Sequence, residues 1–179
     1  MTATELTDHL TDGDWAGDWV LDPTRSAVHI RATSMWGLVK VAGRFDGLRG
    51  EGSLDREGVA TGRLTIDTSS INTGNGRRDK HLRSDDFLHA ATHGEITFTV
   101  DEIAPAGPDQ VRVTGELTVV DHTHPLELTA TLDDVDATGA TVSTDVELDG
   151  SAWGIDSKMG AISKTTRVEA RLRFTRTPS

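Results

Sequence analysis

The side chains best equipped for chemistry crowd into one connection, Thr73 to His93 (TGNGRRDKHLRSDDFLHAATH), which holds four basic residues, three acidic ones and three histidines. His81, His89 and His93, with Asp85 and Asp86 nearby, carry ligand-type atoms, and His89 and His93 stand four apart, a separation that stacks imidazoles on one helix face. No HExxH or other fixed ligand spacing accompanies them, and HAATHGE runs straight into a strand. Surface or hydrogen-bonded imidazoles are therefore the expectation, and no metal site is assigned. A second group, DDVDATGATVSTD, sets Asp134, Asp136, Thr138, Gly139 and Asp145 on the first, third, fifth, sixth and twelfth positions of a calcium loop. Its flanks alternate as strands instead of coiling as helices, its last position is Asp in place of a bidentate Glu, and Val142 fills the ninth. It reads as a solvated hairpin turn. His122 and His124 in DHTHP read as turn residues.

Other chemistries find less support. The chain has no cysteine, which removes disulfides, thiolate metal sites and cysteine nucleophiles together. There is no GxSxG elbow. GNGRRD imitates a dinucleotide loop without its third glycine, a following long helix or a βαβ setting. No catalytic residue is assigned. Lys and Arg number 18 against 29 Asp and Glu, a net charge of -11, so the summed field repels nucleic acid and anionic lipid surfaces. The acidic start MTATELTDHLTDGDWAGDW lacks the positive charge and apolar run of a secretory signal, so a cytoplasmic location is expected. No stretch approaches the roughly 20 apolar residues of a membrane-spanning helix, and no membrane insertion is expected. Residues 1–17 read as a mobile acidic tail, with a short helix docked through Leu6 and Leu10 as the other option, and residues 18–179 as one domain.

The elements that must position these residues are strands. From Trp19 onward apolar and polar residues alternate with period two, as in Leu64 and Ile66, or Val111, Val113, Leu117 and Val119, the pattern of a strand with one dry face. Eight such runs are expected at 24–34, 36–46, 59–71, 94–104, 110–121, 125–134, 140–150 and 165–175, punctuated by DGLRGEG, APAGPDQ, DHTHP and DDVDATG. Connections this short pair neighbours antiparallel, so the solutions are a closed barrel or a two-layer sandwich. A membrane barrel needs aromatic girdles, and this chain has no tyrosine. A soluble eight-stranded barrel is filled by its own side chains or holds one small ligand. Gly43 and Gly115, on inward positions, tilt the expectation toward a cavity.

The charged connection is longer than a hairpin needs. Asn75 suits the cap of a short helix, with Ser84 or Asp85 capping a second turn. Leu82, Phe87 and Leu88 are too few to sustain an independent helix, so they must dock, and the open end of a barrel is the available surface. A solvated plug and a lid over a ligand are both consistent with this pattern.

Several of these stretches together resemble the YceI-like family: Asp22, Pro23 and Ser26 in WVLDPTRSAVHIRA; Gly43 and Phe45 in GRF; Ser70, Ile71 and Thr73; and Arg78, Asp79, His81, Leu82 and Phe87, ahead of GEITF, GELTVVDHTHPLELTATL and WGIDSK. The resemblance runs from about Trp19 to the last strand. It implies a lipocalin-like, eight-stranded antiparallel barrel with a short helical segment in the 73–93 connection, enclosing a long apolar ligand such as a polyisoprenoid or prenylquinone-like molecule. It attaches no catalysis and no other cofactor, and it is compatible with a homodimer, which the sequence itself does not show. This chain departs from the family's pattern in its acidic start and at ATHGEITF, where an aromatic and a proline are usual.

Alternation and resemblance together nominate a ligand wall of Ile30, Val41, Phe45, Ile66, Phe98, Leu117, Leu128 and Phe174, with Met35, Trp36, Leu82, Phe87 and Trp153 near the ends. Arg78 and Asp79 are expected to hold the connection by pairing, with His81 beside them. Carriage or sequestration of that ligand without catalysis is the functional expectation. The alternatives are an enzyme with His81 and a carboxylate turned into a cavity, a barrel filled by its own core, and a divalent-metal protein.

Overall fold

The computed structural model describes residues 8–10, 12–34, 39–154 and 162–177. The alternating runs form strands β1 (Gly17–Leu21), β2 (Ala27–Ser34), β3 (Val39–Phe45), β4 (Leu48–Leu54), β5 (Ala60–Asp67), β6 (Ile71–Asn72), β7 (Glu95–Pro105), β8 (Gln110–Val119), β9 (His122–Asp136), β10 (Gly139–Asp149) and β11 (Ile162–Arg176). Every pairing is antiparallel. The order β1-β4-β5-β7-β8-β9-β10-β11 closes when β11 pairs back onto β1. Eight strands therefore pass around a closed barrel. Three of them are broken in two: β1 continues as β2, β3 as β4, and β5 as β6.

The breaks lie side by side and are stitched. Pro23–Arg25 and Thr68–Ser70 are single 3-10 turns, and Asp46 and Gly47 separate β3 from β4. Across the first break the Asp22 N–H donates to the Arg173 carbonyl at 2.8 Å, while Ser26 Oγ accepts the Arg173 N–H at 2.9 Å and donates to the Asp22 carbonyl at 2.7 Å. A hydroxyl thus stands in for a missing ladder carbonyl and satisfies the Arg173 backbone N–H. Across the others, Asp46 N–H reaches the Ser70 carbonyl at 3.3 Å and Asp67 N–H the Gly47 carbonyl at 2.9 Å.

Two sequence expectations are corrected. DGLRGEG, read as a joint, carries strand β4, because Leu48 and Leu54 are both buried and the run keeps its period of two. Gly43 and Gly115 do not leave inward space: a Cβ at Gly43 would lie 2.8 Å from Thr73 Cγ2, and one at Gly115 would lie 2.1 Å from the Thr99 carbonyl oxygen. Both are sites of close approach. Of the N-terminal segment, Leu10 is buried in one cluster with Leu54, Ala60 and Val111, as the docked-helix option requires; Leu6 lies outside the described residues. Among the described residues no helix is long and apolar enough to cross a membrane.

The core is split. One cluster, near the end that carries the charged connection, contains Leu21, Phe45, Ile66, Ile71, Leu117, Val119 and Trp153, and a second, near the opposite end, contains Leu10, Leu54, Ala60, Val111, Val113 and Ala130.

The calcium-loop lookalike is the β9–β10 hairpin, and it holds a guanidinium. Arg173, 1% exposed, reaches Asp136 Oδ2 at 2.6 Å from Nη2 and the Asp134 carbonyl at 3.4 Å from Nη1. Asp136 Oδ1 accepts from Thr138 Oγ1 at 2.5 Å, Thr138 N at 2.7 Å and Gly139 N at 3.0 Å. These bonds, the Thr138 hydroxyl foremost and then its N–H and Arg173, hold the Asp136 carboxyl far below the usual carboxylate range. A depressed folded pKa contributes stability above the unfolded value of about 3.9 that is lost as pH falls toward the folded one. Asp136→Asn should therefore lower the denaturation midpoint at pH 7, and chemical denaturation repeated in steps below about pH 4 should show the gap to wild type narrowing.

Candidate functional site

The site is the barrel interior, and its geometry follows from the split core. Between the two packed clusters the inward-facing side chains Ile30, Val41, Leu64, Phe98, Leu126, Leu128, Val146, Leu148, Val168, Leu172 and Phe174 are only half-buried. Ile30, Leu64, Leu126, Leu148, Val168, Leu172 and Phe174 pack on the first cluster, Leu128 on the second and Phe98 on both, yet each keeps part of its surface accessible. The surface these residues present is aliphatic and aromatic, of the kind an apolar ligand covers.

Each nominated residue has a definite place. Ile30, Val41, Phe98, Leu128 and Phe174 are half-buried wall, Phe98 touching both clusters. Phe45, Ile66, Leu117 and Trp153 belong to the packed cluster at one end. The indole N–H of Trp153 donates to the Leu117 carbonyl at 2.9 Å, and its ring meets His124 edge-on at 5.6 Å. Leu82 packs on the same cluster, as does Leu88; Phe87 is buried outside it, its ring 4.9 Å from His81. Met35 and Trp36 lie outside the described residues. Sequence reasoning did not single out Leu64, Leu126, Val146, Leu148, Val168 and Leu172 as wall, although each falls on the inward phase of its strand.

The helical segment forms as Asn75 directs. Helix α1 (Gly76–Leu82) is capped by Asn75 Oδ1, which accepts from the N–H groups of Arg77 and Arg78 at 3.2 Å each. Arg78 and Asp79 do not pair with one another as expected; they grip Thr73 from two sides. Asp79 Oδ1 accepts from Thr73 Oγ1 at 2.5 Å and Thr73 N at 2.9 Å, while Arg78 donates from Nε to Thr73 Oγ1 at 2.9 Å and from Nη2 to the Thr73 carbonyl at 3.0 Å. Adjacent residues on a helix point in different directions, so a third residue must link them. Arg83, which the sequence did not mark, adds a bond to the Ile71 carbonyl at 2.9 Å. The Thr73 hydroxyl first, then its N–H and the charges of Arg83 and Arg78, hold the buried Asp79 carboxyl below its ordinary pKa against the opposing effect of burial.

The histidines of the connection meet carboxylates, a phenyl ring and one another. His81 is exposed, 3.9 Å from Asp86, and His89 Nε2 is 3.1 Å from Asp85 with its ring 5.2 Å from that of His93. His122 and His124, read as turn residues, lie on β9, where Val119↔His122 and Leu117↔His124 are ladder pairs and Val120 and Asp121 make the turn. Among the described residues no group of three or more His, Asp or Glu side chains is gathered to hold a metal ion.

The two zones predict different costs. Ile71, 0% exposed, should lose about 2–5 kcal/mol on truncation to Ala, whereas Leu64→Ala should lose clearly less, because its side chain is only half-buried where it packs on the cluster. Urea denaturation of both variants checks this. Thr73→Val, which removes the hydroxyl shared by Asp79 and Arg78, should cost about 1–2 kcal/mol in the same assay.

Comparison with known proteins agrees with this architecture. A model of the YceI-like domain matches residues 19–174. The chain is 32% identical over 121 residues to a UPF0312 protein of Vibrio parahaemolyticus, covering 66% of this chain and 64% of that relative's length. The Burkholderia cenocepacia BcnA structure superposes with a TM-score of 0.77 at 21% identity, over 86% of this chain and 98% of that one. A polyisoprenoid binding domain from Saccharophagus degradans, implicated in plant cell wall breakdown, superposes with a TM-score of 0.75 at 23% identity, over 89% and 98%.

Proposed function

Because this chain belongs to the YceI-like domain family, we propose that it binds a long apolar chain of the polyisoprenoid class inside its barrel and carries or sequesters it without transforming it. The observation that carries this reading is the ring of half-buried apolar side chains between two packed ends, from Ile30 and Val41 through Phe98 and Leu128 to Leu172 and Phe174. A flexible hydrocarbon removes such a surface from water on both sides. Each methylene buried contributes about 0.8 kcal/mol, so affinity follows chain length. The description of the Saccharophagus degradans domain as polyisoprenoid binding supports the ligand class. Arg78, Arg83 and Asp79 serve the site indirectly, by fixing α1 and so seating Leu82 and Leu88 on the core at one end.

Organic-solvent extraction of the purified protein followed by mass spectrometry should recover a long unsaturated hydrocarbon chain. Prenyl alcohols of increasing length should bind the delipidated protein with rising affinity until the lumen is filled. Recovery of no lipid, together with no binding of any prenyl alcohol, overturns the reading.

A further inference from the structure

The wall of the barrel is not sealed all the way round. Strands β9 and β10 leave their hairpin paired, Gly139↔Asp136 through Ser143↔Thr131, and there the ladder stops, while β9 remains paired to β8 down to His122 and β10 to β11 down to Asp149. Below Thr131 and Ser143 the two strands each keep one partner and face one another without a shared ladder. The last link is a side chain: Thr144 Oγ1 donates to the Thr129 carbonyl at 2.8 Å.

Three features of the sequence fit an opening here. Ladder groups alternate sides along a strand, and Val119↔His122 closes the β8–β9 turn, so the odd-numbered residues of β9 direct their backbone groups toward β10. Pro125 is one of them. A residue without an N–H sits where no ladder donor is required, as prolines in sheets do. Continuing the register of the paired half would set Glu127 opposite Glu147, two like charges that resist closure. Behind them, the same register brings Leu126, Leu128, Val146 and Leu148 to the edges of the gap, all inward and all half-buried. On the outside a concavity lies over the point where the ladder ends, lined by Thr129, Thr131, Ser143, Thr144 and Asp145 among others. At the far end of the gap, the turn Gly150–Trp153 packs on β9, with the Trp153 ring against His124.

We propose that the β9–β10 gap is a lateral portal through which the apolar chain enters and leaves the lumen. This rests on the functional reading above and adds the route. Polar residues flank the outer concavity and leucine and valine flank the inner side, so a hydrocarbon can slide between two strand edges without the barrel opening at either plugged end.

The test uses the absence of cysteine in this chain. Glu127→Cys/Glu147→Cys, bridged directly or by a short bis-thiol reagent, clamps the gap; Glu51→Cys/Arg63→Cys, on the laddered pair of β4 and β5, is the control. Exchange of a dansyl-labelled geranylgeranyl chain is followed by fluorescence in the full-length protein. The bridged seam variant should exchange the probe roughly tenfold more slowly or less than its reduced form, the control staple unchanged. Glu127→Lys, which makes the facing pair attractive, should slow exchange by a smaller factor that salt removes. Probe that binds but exchanges equally fast through the clamped seam overturns the portal alone, as does equal slowing by the control staple. Failure of the wild-type chain to bind the probe overturns the functional reading and the portal with it.

Discussion

Closure on β11 is the constraint from which the rest of the structure follows. That strand takes β10 along one edge and divides its other edge between β2 and β1. Because the two partners are parts of one chain segment separated by the Pro23–Arg25 turn, the segment must bend without losing its hold, and Ser26 and Asp22 hold Arg173's backbone on either side of the bend. Arg173 anchors the arrangement through its side chain as well, since its guanidinium is buried under the β9–β10 hairpin against Asp136. A sheet that closes in this way keeps as edge the unladdered parts of β9 and β10, and its inward faces are directed to a shared interior.

How that space is filled decides what the protein can do. The two ends are packed, one with Ile71, Leu117 and Trp153, the other with Leu10, Leu54 and Val113, and the apolar side chains that pack on them from the middle stay half-buried. The charged connection that dominates the sequence turns out to be part of the packing of one end. Its arginines and aspartate converge on Thr73 and Ile71 to seat a helix less than three turns long, which could not stand by itself in water. Its histidines meet carboxylates, a phenyl ring and one another.

A closed barrel with plugged ends poses a problem of access, and the divergence of β9 from β10 answers it within the wall. The hairpin that binds Arg173 at one end of these strands and the Trp153–His124 contact at the other fix the extremities of the gap. The strands between are left with a proline and facing acids where a ladder would otherwise form.

Much of this was legible in the sequence because period-two alternation is a local property: it located the eight strand passages, their inward residues such as Phe98 and Leu128, and the Asn75 cap, each from a few neighbouring residues. The family resemblance added the barrel's closure. What the sequence could not show depends on residues far apart in the chain. Gly43 and Gly115 looked like empty space because their neighbours across the fold, Thr73 and the Thr99 carbonyl, are invisible to local pattern. Arg173 alternated like any outward strand residue and gave no sign of burial, since the hairpin that covers it comes some forty residues earlier. Arg78 and Asp79 could be matched by charge, but only the helix geometry decides that neighbours in sequence point apart and meet through Thr73. Alternation determined which face of each strand is dry; tertiary structure alone decided which dry residues touch one another and which line a lumen, because packing is a property of distances between strands.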